Sequence, residues 1–321
     1  MSDRLLTVLM AVRNDEKYVE KATRSILTQT HADFEFLIVD DCSRDTSLNI
    51  IGRMSDSRIR IERNQSPLGL TRSLNRGLAL SNSQFIARMD ADDYAYPTRL
   101  EKQLNFLIRN SAYGLVGSWY REIDEKERPV SEVRTPKTNA EIKAALRKGN
   151  AFAHSSVMFP RRCIEQVKGY RDFFEFSQDY DLFLRLTAEF KVHNIPEILL
   201  DWRIRLDSAS VRFKVLQDLY AEKARECAYS HANLPSDQAE WLKPYLGSSL
   251  RKSRTTAIGY YKWASDFFYT RTGYKKRIFS CIRLLFRSLF ANPATFAWLC
   301  SHTIKNAGSR FLRSLKNRFA R

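Results

Sequence analysis

The chain is short of the residues that would staple it together or carry it across a bilayer. Only five cysteines occur in 321 residues, Cys42, Cys163, Cys227, Cys281 and Cys300. They are odd in number, widely scattered and never spaced as CxxC, which excludes a disulfide framework and a thiolate zinc cluster. Eleven glycines and nine prolines exclude collagen-like and low-complexity sequence. No apolar run reaches the ~18 residues of a membrane-spanning helix. The opening MSDRLLTVLM lacks a basic stretch leading into a long apolar segment and a small-residue cleavage site. A cytoplasmic protein with reduced thiols is therefore expected. What the chain does have is apolar material, 44% against 28% charged, enough for a sizeable core and against a disordered chain. At about 150 residues per domain, the length suggests two domains or one large domain with an appendage.

Acidic residues are scarce at one end only. The formal charge of +17 splits unevenly: residues 1–210 hold 32 Lys and Arg against 30 Asp and Glu, and residues 211–321 hold 21 against 6. After Asp266 there are 12 basic residues and no acid. The front two-thirds reads as an ordinary globular domain and the remainder as a helical basic region. Such a region attracts phosphate backbones or anionic headgroups. Within it Lys276, Ser280, Arg283 and Arg287 recur at spacings of 4, 3 and 4, one polar stripe on an otherwise apolar helix. Asn292-Pro293 then opens a further helix. Two readings stay open: an interfacial helix on an anionic membrane, and a helix packed on its own domain with a solvated basic edge.

Residues 1–118 alternate strand-like and helix-like runs. Strands are expected at Leu5–Val12, Phe34–Val39, Arg58–Ile61, Phe85–Met89 and Gly114–Gly117. Helices are expected at Tyr18–Leu27, Ser47–Met54, Leu70–Leu80 and Thr98–Ile108. This order predicts an α/β fold with a doubly wound, mostly parallel sheet and a Rossmann-like half. Residues 119–150 read as an irregular excursion with one helix, Ala140–Leu146. A strand over Ala151–Phe159, a helix over 180–190 and a closing strand at Leu199–Ile204 follow. Ligands of such sheets sit beyond the strand C-termini, so functional residues should follow Val12, Val39 and Met89. The chain there reads Arg13-Asn14-Asp15-Glu16, Asp40-Asp41-Cys42-Ser43 and Asp90-Ala91-Asp92-Asp93. Two carboxylates at i and i+2 on a tight loop suit a hard divalent cation completed by phosphate oxygens and water. Alone, the same pattern also suits an Asp-rich turn or a helix cap.

Taken with Ser25–Thr30, Phe36–Asp45, Leu68–Asn75 and Asp179–Leu186, the Asp90–Asp93 segment resembles the family 2 glycosyltransferases, inverting enzymes of the GT-A fold. The resemblance covers about residues 5–210. It implies a catalytic domain over 1–210, with a nucleotide-sugar half (1–118) and an acceptor half (119–210), followed by the basic region 211–321. It implies a nucleotide-sugar donor, with uridine the favoured base, and Mn²⁺ or Mg²⁺ as cofactor. Ala11, Arg13, Asn14, Asp41, Arg72, Arg88 and Asp90 would bind the nucleotide sugar, and Asp92 the metal. Asp179 stands where the family carries its catalytic base, while Asp181 faces elsewhere. An inverting transfer needs one carboxylate to take the acceptor proton and no acid for a metal-bound diphosphate leaving group. His154 and Trp119 fall on the acceptor side.

For several of these positions a structural reading stands beside the functional one. Asp41 also suits a cap on the following turn, and Asp179 a helix cap. Arg72 and Arg88 suit structural arginines, His154 a satisfied histidine and Trp119 a core residue. Asp93 is expected to cap the segment after its loop. Two departures from the family pattern stand out: Arg13 replaces an aromatic residue beside the base, and Arg205 replaces a histidine. The acceptor implied is a saccharide or a lipid-linked saccharide of cell-surface polysaccharide synthesis, reached at the inner membrane face. A nucleotidylyltransferase would need a glycine-rich loop after the first strand, and Val12–Glu16 has no glycine. An RNA-binding protein leaves the acidic rim unexplained, since carboxylates repel phosphate. A transferase-like pseudoenzyme remains compatible with the residues.

Overall fold

The computed structural model describes residues 4–205, 208, 213–230 and 232–246. The chain divides into two compact units, Met1–Ile204 with Tyr220–Leu234, and Arg205–Leu219 with Pro235–Arg321. The first unit carries every candidate site residue.

Its sheet is built on β1 (Leu6–Val12), β2 (Glu35–Asp40), β3 (Ile59–Arg63) and β4 (Phe85–Asp90), all parallel in the order β3-β2-β1-β4. β1 and β2 are apolar runs because they are covered on both faces. Helices α1 (Val19–Leu27), α2 (Ser47–Gly52) and α3 (Leu70–Leu80) connect these strands. Each of the two longer helices buries one stripe: Val19, Ala22 and Ile26 on α1, Leu74 and Leu78 on α3. The chain builds outward from β1 to β3 and then returns to β4 on the other side of β1. That reversal opens a crevice at the C-terminal ends of β1 and β4. Across it Ala11 is in register with Asp90 on one side and Val39 on the other.

The short β5 (Tyr94–Ala95) and α4 (Arg99–Arg109) follow. β6 (Tyr113–Ile123) then pairs antiparallel with β7 (Pro129–Val133), and α5 (Asn139–Leu146) carries a Thr138–Glu141 capping box. β8 (Met158–Pro160) pairs antiparallel with both β4 and β6, and α6 (Arg161–Gln166) and α7 (Gln178–Glu189) follow. β9 (Lys191–Arg203) runs parallel to β6 and antiparallel to β5. Beyond the first unit's strands, α8 (Lys214–Tyr229) and α9 (Gln238–Leu246) are helical. The stripe at 276–287 lies outside the described residues.

The α/β class and the parallel nucleotide half stand, with a mixed sheet beyond β4. Two local expectations are corrected, and one strand is added. Residues 119–150 are not irregular: β6 runs on through Trp119 to Ile123 and turns into β7, because β9 pairs with it along that length. Residues 151–159 form a 3₁₀ turn at His154–Ser156 rather than a continuous strand. There the Ser156 hydroxyl and N–H both donate to the Ala153 carbonyl, which draws the backbone out of an extended form. Strand β5 was not foreseen, and two residues are too few to show a period.

Candidate active site

The loops after β1 and β2 are laced together before any ligand is considered. Asn14 and Cys42 sit at left-handed φ of 57° and 59°. The Asn14 N–H donates to the Ser43 hydroxyl at 3.1 Å, and the Asn14 side-chain oxygen Oδ1 accepts from the Arg44 N–H at 2.8 Å. Asp15 and Glu16 continue the seam through Ser47, Asp45 and Thr46. Asp41 is buried and accepts from the Leu68 N–H at 2.6 Å, the Gly69 N–H at 3.0 Å and the Asn64 amide at 2.8 Å. Gly69, at φ 84°, takes the left-handed turn that aims both N–H groups at one carboxylate. Half-exposed Arg13 lies 3.4 Å from the same carboxylate. Burial opposes the charge on Asp41, but these donors outweigh it and hold the carboxyl below the ordinary aspartate range. Asp41 thus organises the 64–69 loop from the C-terminal end of β2, which is the structural role expected of it.

At the end of β4, Arg88 is fully buried and ion-paired with Asp90, whose N–H donates to the Ser155 hydroxyl at 2.8 Å. The Arg88 Nε has no hydrogen-bond partner among the described residues. Asp92 is partly exposed and its carbonyl accepts from Arg203 Nε at 2.7 Å. Asp93 does not cap the following segment. It is buried, and one oxygen accepts from the Arg203 N–H at 2.8 Å while the other has no hydrogen-bond partner among the described residues. Burial, then the charges of Asp92 and Asp90, push its carboxyl well above the ordinary range.

The opposite wall comes from the 3₁₀ turn and the start of α7. Half-buried His154 meets the Tyr170 hydroxyl at 2.7 Å through Nε2. Burial, reinforced by the Arg88 charge, moves its pKa far below the usual histidine value, so the ring is neutral. Asp179 is the second residue of α7, and one oxygen accepts from the Asn150 amide at 2.7 Å. Burial raises its carboxyl, opposed by the Tyr180 N–H, the Arg88 charge and Asn150. Asp181 turns away into a buried cluster with Arg171 and Arg185. Arg88 therefore lies within electrostatic reach of Asp90, Asp93, His154, Tyr170 and Asp179 together. Arg72 pairs with exposed Asp172 at 3.4 Å. Trp119 donates its indole N–H to the Thr135 carbonyl at 2.9 Å, with Arg134 over its ring. Four contributors escaped sequence reasoning: Asn64, Asn150, Tyr170 and Arg203. Only Arg203 had a local signal, as an inward-facing charge in a strand.

The donor set suits a hard divalent cation. Among the described residues no three His, Cys, Asp or Glu side chains could enclose a metal by themselves. Mg²⁺-like ions are held instead by one or two carboxylates, with substrate phosphates and water. Asp90 and Asp92, at the end of β4 and on the loop after it, are the carboxylates that could meet that need.

The model of glycosyl transferase family 2 matches residues 7–166. Over 207 residues the chain is 35% identical to the O-antigen biosynthesis glycosyltransferase WbnJ of Escherichia coli, covering 62% of this chain and 80% of that protein. S. aureus TarS 1–349 in complex with UDP has a TM-score of 0.57 at 15% identity, over 91% of this chain and 82% of that one. The mannosyltransferase PcManGT from Pyrobaculum calidifontis, in complex with GDP-Man and Mn²⁺, has a TM-score of 0.54 at 14% identity, over 95% and 87%. The two structures share the α/β GT-A architecture with this chain.

Proposed function

The chain belongs to glycosyl transferase family 2 and is a glycosyltransferase; from that premise we propose that it moves one sugar, with inversion, from a nucleoside-diphosphate sugar to an acceptor hydroxyl. The observation that carries the reading is the buried Arg88 guanidinium, which interacts with Asp90 on the donor wall and Asp179 on the acceptor wall. Asp41, Arg13, Asn14 and Ala11 form the nucleoside end, and Asp90, Arg72 and Arg88 the ribose and diphosphate end. Asp92 would hold Mn²⁺ or Mg²⁺, which when bound would neutralise charge on the departing diphosphate. The acceptor oxygen attacks the anomeric carbon, its proton passes to Asp179, and the bond from that carbon to the diphosphate oxygen breaks. A carboxyl raised by burial is better matched to this task than an ordinary aspartate. Asn150 orients it, and neutral His154 with Trp119 lines the acceptor side.

Uridine is the proposed base. Asp41 already accepts from three donors and faces Arg13, so a base N–H would displace the Arg13 contact, the longest of these. That exchange makes Arg13 the residue through which a guanosine donor would be admitted instead. The O-antigen name of WbnJ supports a saccharide or lipid-linked acceptor of cell-surface polysaccharide synthesis. The domain division at about residue 210 belongs to the same reading, with the basic region 211–321 holding the enzyme on the inner face of an anionic membrane. No helix among the described residues is long and apolar enough to cross one.

Calorimetric titration of UDP, GDP and dTDP, with Mn²⁺ and then with EDTA, tests the donor half. Metal-dependent binding of one nucleotide, lost in Asp92→Ala, is the expected result. Absence of binding by all three would overturn the reading and favour a pseudoenzyme.

A further inference from the structure

We propose that Arg203 is a positioning residue for the donor site, fixing the peptide on which the metal-binding Asp92 is mounted. This inference rests on the donor-site reading above. Arg203 closes β9 and is 3% exposed, yet its shortest side-chain hydrogen bond goes to no carboxylate. Its Nε donates to the Asp92 carbonyl at 2.7 Å, while its own N–H donates to Asp93 Oδ1 at 2.8 Å. The first bond holds the Asp92–Asp93 peptide itself, and the second holds the side chain of the residue that follows it. A carbonyl and the following N–H share one rigid plane. Fixing the Asp92 carbonyl therefore fixes how the chain leaves Asp92 and where its carboxylate is carried.

The rest of the guanidinium anchors this hold on the peptide. Nη1 donates to the Asp124 carbonyl at 3.3 Å and Nη2 faces Glu127 Oε1 at 3.3 Å, both on the β6–β7 turn. Glu127 sits at a left-handed φ of 62° and is also paired with Lys21 from α1. The guanidinium carbon lies over the Tyr18 ring, 4.7 Å from its centroid. One side chain thus joins the loop after β4, the β6–β7 turn and the entry to α1. Lysine keeps the charge but cannot serve several acceptors in a planar fork. It would leave the Asp92 peptide free to turn.

The test follows the free Mn²⁺ signal by electron paramagnetic resonance as Mn²⁺ is titrated into the full chain, alone and with saturating UDP, GDP or dTDP. Arg203→Lys is expected to weaken Mn²⁺ binding about 10- to 100-fold, the usual loss when a group supporting a ligand is changed. Glu127→Gln, on a half-exposed turn residue, should weaken it less and in the same direction. Arg24→Ala, at an exposed pair with Glu20, should leave it unchanged. A merely structural Arg203 would lower the melting temperature and leave Mn²⁺ affinity at the wild-type value, which overturns the proposal. If Arg203→Lys does not fold, Glu127→Gln decides: a weaker site supports the proposal and an unchanged one refutes it. Wild-type protein that binds no Mn²⁺ with any nucleotide would refute the donor-site reading itself, and this inference with it.

Discussion

Replacing Asp41 with asparagine should destabilise the catalytic unit without touching its apolar core. The carboxylate accepts three hydrogen bonds, at 2.6, 2.8 and 3.0 Å, and faces Arg13. Bonds to a charged acceptor contribute about 1.5–3 kcal/mol each, but not all of that is lost on substitution. Leu68 is 38% exposed, so its freed N–H can find water, and Asn64 keeps its bond to the Ser73 hydroxyl at 2.8 Å. The half-exposed Arg13 pair contributes about 0–1 kcal/mol. What remains is the Gly69 N–H facing an asparagine amide, and weaker bonds at the other two donors, in all about 2–4 kcal/mol. For a unit of this size that lowers the melting temperature by roughly 4–16 °C, measured by circular dichroism at pH 7.5. The pH dependence has a definite sign. The folded carboxyl lies below its unfolded value of about 3.9, so its contribution is complete above that value and is lost as pH falls through the folded pKa. A variant that melts within a degree or two of wild type at pH 7.5 would refute the reasoning.

Two other substitutions separate structure from chemistry. Asp181→Ala leaves Arg171 and Arg185 without their shared buried partner; a loss of about 3–5 kcal/mol is expected in urea denaturation. Asn150→Ala removes a bond that lowers the Asp179 carboxyl. The acidic limb of the pH–rate profile should therefore move to higher pH in that variant, and a shift to lower pH would contradict the assignment.

The nucleotide half was legible because β1 and β2 are covered on both faces and read as near-continuous apolar runs, while β3 alternates as an edge strand does. Leu70–Leu80 was expected as a helix and is one, and Phe85–Met89 falls one residue short of β4. The second half was not legible in the same way. Trp119-Tyr120-Arg121-Glu122 shows no strand period of its own and is extended because β9 lies beside it. The same limit governs the site. Asp90, Asp92 and Asp179 announce themselves locally, whereas Asp93 takes its meaning from an N–H 110 residues away. Arg88 was visible as a charge inside an apolar run. Its role between two walls depends on how β4 meets the 3₁₀ turn and α7, which no local pattern encodes.

The central claim is that Asp179 takes the acceptor proton at a donor site it does not help to build. Asp179→Asn tests it most directly, with metal-dependent nucleotide binding measured by calorimetry and sugar transfer measured on the same preparation. The account predicts unchanged nucleotide affinity and transfer slower by about 10²–10⁴-fold. Transfer at the wild-type rate, or loss of nucleotide binding in step with activity, would contradict it.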